Sequence, residues 1–78
     1  MTANEGIGRK LREIREARRL TLSAVAKRVN ISPSRLCHYE SGRRPVPAVI
    51  LNDLCNVYDA DANKILASAG QPLEAVSP

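Results

Sequence analysis

The chain has 78 residues, of which 44% are hydrophobic and 26% charged, so it is at most one small domain with short tails, folded in water rather than disordered or collagen-like. Its formal charge of +4 is unevenly spread: residues 1–44 carry eleven basic and four acidic side chains, a net +7, while residues 45–78 carry one basic and four acidic, a net −3. No uncharged stretch approaches the ~18–20 apolar residues of a spanning helix, no apolar run follows the first charges as in a signal peptide, and the lone pair Cys37 and Cys55 has no CxxC or Cys/His context for a disulfide scaffold or zinc site. The expectation is therefore a cytoplasmic protein with reduced thiols, no metal, no cofactor and no membrane association.

From Glu5 to Arg19 the residues Ile7, Leu11, Ile14 and Ala17 recur at spacings of four, three and three with charges between them, which is a helical stripe. Thr21 is an N-cap for a short second helix over about 22–29, with Leu22, Val25, Ala26 and Val29 on one face. Asn30 suits a left-handed turn and Ile31 points inward. Ser32 followed by Pro33 then opens a third helix, which runs through Leu36 and Tyr39 to Ser41 and closes at Gly42. Arg43 to Pro47 is a loop, because each proline removes a donor and biases its predecessor away from helix.

A fourth helix over about 47–58 carries Ile50, Leu51, Leu54, Val57 and Tyr58 as its apolar face, with Cys55 beside it as a small buried hydrophobe. Asp61 caps a last short helix bearing Ile65, Leu66 and Ala69, which ends at Gly70 before Pro72. Strand alternation is absent, so the fold class is all-α with five helices. The domain spans residues 6–69, between a flexible N-terminus over 1–5 and a flexible tail over 70–78.

The segment LTLSAVAKRVNISPSRLCHYESG, residues 20–42, reads as helix, tight three-residue turn and second helix, with Ala26 where two helices must approach closely. That is the helix-turn-helix unit. Together with the RExR run ending at Arg15, the LT at Leu20 and Thr21, the VA at Val25 and Ala26, the NIS turn and the YESGRR exit, the sequence resembles the phage repressor/Cro (Xre-like) family of DNA-binding domains over residues 6–69.

The resemblance implies double-stranded DNA as partner, with helix 32–41 in the major groove, which takes one α-helix. The outward residues Pro33, Ser34, Cys37 and His38 then face base edges, Ser34 and His38 being the best readers. Pro33 departs from the family, which usually has a base-bonding glutamine there, and offers only apolar contact. Arg35, Arg43 and Arg44 are implied phosphate contacts, which position the protein without reading sequence. Lys27 and Arg28 are implied contacts to the opposite backbone, and Thr21 offers its hydroxyl and the free amides of the second helix to a phosphate, although Leu22 stands where the family has a glutamine.

The alternative for His38 is an ordinary exposed histidine, and for Lys27 and Arg28 ordinary helix solubility. Arg18 and Arg19 equally suit a helix C-terminus as dipole-satisfying cations. Arg15 and Glu40 are implied to pair as a structural salt bridge between the first and third helices. Cys37, near the DNA, is open to oxidation that blocks binding. In this family the last helix often forms a two-fold interface, which implies a homodimer through Ile65, Leu66 and Ala69; the alternative is that these residues close the monomer's own core.

With one histidine, no glycine-rich phosphate loop and no metal cluster, nothing assembles into an enzyme. The expected function is a sequence-specific DNA-binding transcription regulator. The alternatives are a protein-interaction module on the same fold, or the DNA-binding fragment of a longer regulator.

Overall fold

The computed structural model describes the backbone of residues 3–68 and the side chains of residues 5–65. Five helices follow in chain order: α1 (Ala3–Ala17), α2 (Leu22–Arg28), α3 (Pro33–Ser41), α4 (Ala48–Tyr58) and α5 (Ala62–Ser68). α1 runs through the middle of the packing and touches α3, α4 and α5, while α2 packs on α3 and α4. The core they enclose is built around the fully buried Leu11, Val25, Leu36, Leu54 and Tyr58, with Ile65 2% exposed. No described helix is long and apolar enough to cross a membrane.

Short helices of this kind depend on their ends, and the ends are built alike. At the C-termini of α1, α2, α3 and α4 a left-handed residue reverses the chain: Arg19 (φ 57), Asn30 (φ 60), Gly42 (φ 82) and Asp59 (φ 54). In each case the following N–H donates back to a carbonyl five residues earlier: Leu20 to Arg15 at 3.1 Å, Ile31 to Ala26 at 3.0 Å, Arg43 to His38 at 3.0 Å and Ala60 to Cys55 at 2.9 Å. This closure satisfies carbonyls that the helix leaves orphaned. The sequence signals Asn30 and Gly42 plainly, but not Arg19, a residue type with a steric cost in that region. α1 accordingly stops at Ala17 rather than continuing to Arg19, and Arg18 and Arg19 lie in the turn, exposed.

Two side-chain caps start the helix-turn-helix pair: Thr21 Oγ1 accepts from the Ala24 N–H and Ser32 Oγ from the Arg35 N–H, each at 3.1 Å. Asp61 Oδ1 accepts from the Asn63 N–H at 2.9 Å and caps α5. Gly70, Pro72 and the rest of the tail lie outside the described residues.

The buried face of α1 is rotated relative to the apolar spacing. Leu11 is fully buried, Ile7 and Ile14 are half-buried, and Ala17 is exposed, whereas Gly8 and Arg15 are buried. The seam with α3 therefore follows Gly8, Leu11 and Arg15, which the count of hydrophobic residues cannot reveal because two of the three are not hydrophobic.

Tyr58 is fully buried at the end of α4 and its hydroxyl has no hydrogen-bond partner among the described residues. Burial pushes the phenol up from its ordinary 10 to about 12, helped by the nearby Glu40 carboxylate. An unpaired buried hydroxyl contributes nothing that a phenyl ring lacks, so Tyr58→Phe is expected to leave the melting temperature at pH 7 unchanged or higher. The pH dependence has a definite sign. Above pH 10 the unfolded chain releases this proton while the folded chain holds it until about 12, so stability falls across that window, by roughly 2–3 kcal/mol. Thermal melts of both proteins from pH 9 to 11.5 check this, because the phenylalanine variant lacks that component of the decline; parallel declines would refute it.

Candidate nucleic-acid interface

α3 divides into two faces. Leu36, Tyr39 and Glu40 are buried against the rest of the domain, which leaves Pro33, Ser34, Arg35, Cys37 and Ser41 exposed and His38 half-buried. At roughly 100° per residue, Ser34, His38 and Ser41 lie along the centre of the outward stripe, with Cys37 on one flank and Arg35 on the other. The structure thus brings the base-reading candidates Ser34 and His38 onto one line, with Pro33 at the helix start.

The end of α3 fixes two further cations. The His38 carbonyl accepts from the N–H of Arg43 at 3.0 Å and of Arg44 at 3.4 Å, and from Ser41 Oγ at 3.1 Å. Arg43 and Arg44 therefore begin their exposed side chains from a backbone tied to the outward helix. Arg35 is exposed, as are Thr21, which caps α2, and Lys27 and Arg28 on it. Lys27 and Arg28 occupy the last turn of α2, where a cation also suits the helix dipole.

What holds α3 at its angle is a bidentate ion pair. Arg15 Nε donates to Glu40 Oε2 at 2.8 Å and Nη2 to Oε1 at 3.2 Å. The third branch, Nη1, donates to the Leu20 carbonyl at 2.8 Å, so one guanidinium ties α1, the α1–α2 turn and α3 together. Both groups are nearly buried, Arg15 at 9% and Glu40 at 8% exposed. The hydrogen bond with Glu40 outweighs desolvation and raises the Arg15 pKa above its ordinary value. The pair is occupied with itself and does not face outward as a ligand group.

The two cysteines differ as their positions require. Cys37 is exposed and Cys55 is buried; burial pushes the Cys55 thiol up, with Asp61 adding to it. Of the three residues expected at a two-fold interface, Ile65 is instead packed inside the monomer core at 2% exposure, because α5 folds back onto α1 and α4. The Leu66 side chain and Ala69 lie outside the described residues.

Two residues that sequence reasoning passed over, Arg12 and Ser41, line a groove of about 160 Å³ together with Leu22 and Cys37, floored by Arg15 and Glu40. The available signal for Arg12 was its place three residues before Arg15 in the RExR run, one helical turn along the α3-facing side.

A helix-turn-helix domain family profile matches residues 7–66. The chain belongs to the Xre-like helix-turn-helix family. Among solved structures it is similar to the clp gene regulator ClgR from Corynebacterium glutamicum in two crystal structures. One has a TM-score of 0.85 and 28% identity over 90% of this chain and 74% of that one. The other has a TM-score of 0.84 and 28% identity over 90% and 91%. It is also similar to the restriction-modification controller protein C.AhdI from Aeromonas hydrophila, with a TM-score of 0.74 and 26% identity over 78% of this chain and 92% of that one. No curated protein sequence matches the chain. The family and these neighbours make this Xre-like protein a DNA-binding transcription regulator rather than an enzyme.

Proposed function

We propose that this protein is a sequence-specific regulator that binds double-stranded DNA as a homodimer, each subunit placing α3 in the major groove on half-sites about 34 Å apart. The observation that carries the reading is the outward line of Ser34 and His38 on α3, flanked by exposed Arg35, Arg43 and Arg44 and held at a set angle by the Arg15–Glu40 pair. Pro33, Ser34, Cys37 and His38 face base edges in this arrangement. Arg35, Arg43, Arg44, Thr21, Lys27 and Arg28 meet phosphates. The working unit is the domain over residues 6–69, and with Ile65 committed to the core, Leu66 and Ala69 are the residues of the expected interface that remain to meet a second subunit.

The test is fluorescence anisotropy with random-sequence duplex and with the DNA upstream of the protein's own gene, across a salt series. A steep fall of affinity with salt and tighter binding to one sequence support the reading, because phosphate contacts release counterions and base contacts discriminate. Binding that is absent even at low salt overturns it in favour of a protein-binding role. Arg43→Ala is expected to weaken binding to every sequence and flatten the salt slope, whereas His38→Ala relaxes the preference at one base pair by roughly 1–3 kcal/mol. Equal losses of specific and non-specific binding in both variants would refute this sorting.

A further inference from the structure

Arg12 stands at the junction of two adjoining grooves on the α1–α3 seam. The first, of about 160 Å³, is lined by Arg12, Arg15, Leu22, Cys37, Glu40 and Ser41. The second, of about 280 Å³, is lined by Glu5, Arg9, Arg12, Glu40 and Ser41. Arg15 in this seam is fully engaged with Glu40 and Leu20, and Leu22 has no side-chain donor, so the long donor left in the inner groove is Arg12. Its side chain is 63% exposed and, among the described residues, is held by the surface ion pair with Glu16, Nε to Oε2 at 3.2 Å, a class of interaction that surrenders easily to a better anion.

We propose that Arg12 is a phosphate-binding residue that grips the DNA strand running past the Cys37 side of α3, exchanging Glu16 for a phosphate as the complex forms. The proposal rests on the DNA-binding reading above. Its geometry is that of a helix lying between two strands. Cys37 and Arg35 are two residues apart on α3, hence roughly 200° around its axis, and they mark opposite banks. On the Arg35 bank the helix carries its own cation. On the other, Cys37 is a weak donor and carries no fixed charge, and the groove it lines is also lined by Arg12. Arg9 lines the outer groove but not the inner one beside Cys37, so Arg12 is the stronger of the two candidates. A guanidinium meets phosphate through two parallel donors, which suits a contact that fixes register without reading bases.

The exchange makes two opposite predictions from neighbouring residues. In the salt series on random-sequence duplex, Arg12→Gln is expected to shrink the fall in affinity between about 50 and 200 mM salt by about threefold, the loss of one phosphate contact. Glu16→Gln, which frees Arg12, is expected to tighten binding at low salt. Two controls carry the same charge changes elsewhere: Arg18→Gln on the exposed turn, and Glu13→Gln, whose partner is Lys10 at 3.7 Å. All four residues are exposed, so folding is unaffected, which equal melting temperatures verify. A salt slope reduced in Arg12→Gln but not in Arg18→Gln, with Glu16→Gln tightening more than Glu13→Gln and losing that gain when combined with Arg12→Gln, supports the proposal. Wild-type binding with an unchanged slope in Arg12→Gln, or equal effects of the paired controls, overturns the Arg12 assignment alone. Absence of salt-dependent binding by the wild type overturns the DNA reading and this proposal with it.

Discussion

Glu40→Ala is expected to lower folding stability by roughly 3 kcal/mol, and the melting midpoint by roughly 12–24 °C for a domain of this size. The substitution removes both acceptors of a bidentate pair and leaves Arg15, a residue only 9% exposed, without its counter-charge. Breaking such a pair costs about 3–5 kcal/mol because the partner stays buried and charged. The low end applies here. Arg15 keeps its bond to the Leu20 carbonyl at 2.8 Å, and Glu16 Oε2 stands 4.0 Å from Nη2 as a distant substitute. Replacing both members with apolar residues, as in Arg15→Met with Glu40→Leu, is expected to cost less than Glu40→Ala alone, since no uncompensated charge remains. Thermal denaturation of the three proteins decides the matter: an unchanged midpoint for Glu40→Ala would refute the structural role, and a double variant less stable than the single one would refute its cause.

The second large effect is expected from a change that looks favourable on propensity grounds. Gly8→Ala gains about 1 kcal/mol of helix propensity in the middle of α1, yet net destabilisation of roughly 2 kcal/mol is expected, because overpacking with no room to relax costs more than that gain. A Cβ at this position would meet the Tyr39 carbonyl oxygen and stand 2.5 Å from the Glu40 carbonyl oxygen. Both are backbone atoms of α3, which cannot swing aside as a side chain does. Either α1 lifts away from α3, which stretches the Arg15–Glu40 pair two turns further along, or the end of α3 shifts, which moves the carbonyl network that fixes Arg43 and Arg44. DNA affinity is therefore expected to fall at temperatures where the variant is still folded. A chemical denaturation midpoint at or above that of the wild type would show that the approach at Gly8 is not tight.

These two positions also mark where the sequence is legible and where it is not. The helix-turn-helix unit is readable because its signals are local: Thr21 and Ser32 cap the residues three positions on, and Gly42 supplies the left-handed conformation that follows α3. The Arg15–Glu40 pair is 25 residues apart in the chain and was reached only through the family resemblance, since nothing in either residue's neighbourhood announces its partner. Gly8 is unremarkable in the sequence, because a glycine inside a helix has no period and no cap to identify it. Arg12 was passed over for the opposite reason. It is one of twelve basic residues, and only the groove it shares with Leu22, Cys37 and Ser41 separates it from a solvated charge.

By itself the amino-acid sequence determined the number and order of the helices, the turn between α2 and α3, and the polar face that α3 turns outward. Each follows from interactions within a few residues, where capping, left-handed turns and a 3.6-residue period act directly on the chain. Only the tertiary structure decided which face of α1 meets α3, that Ile65 closes the monomer's core rather than standing free for a second subunit, and that Tyr58 carries a buried hydroxyl with no partner among the described residues. Those outcomes depend on how closely two backbones approach and on what remains of a helix's surface after its neighbours have covered it. Such distances belong to segments far apart in the chain, and no local pattern of residues encodes them.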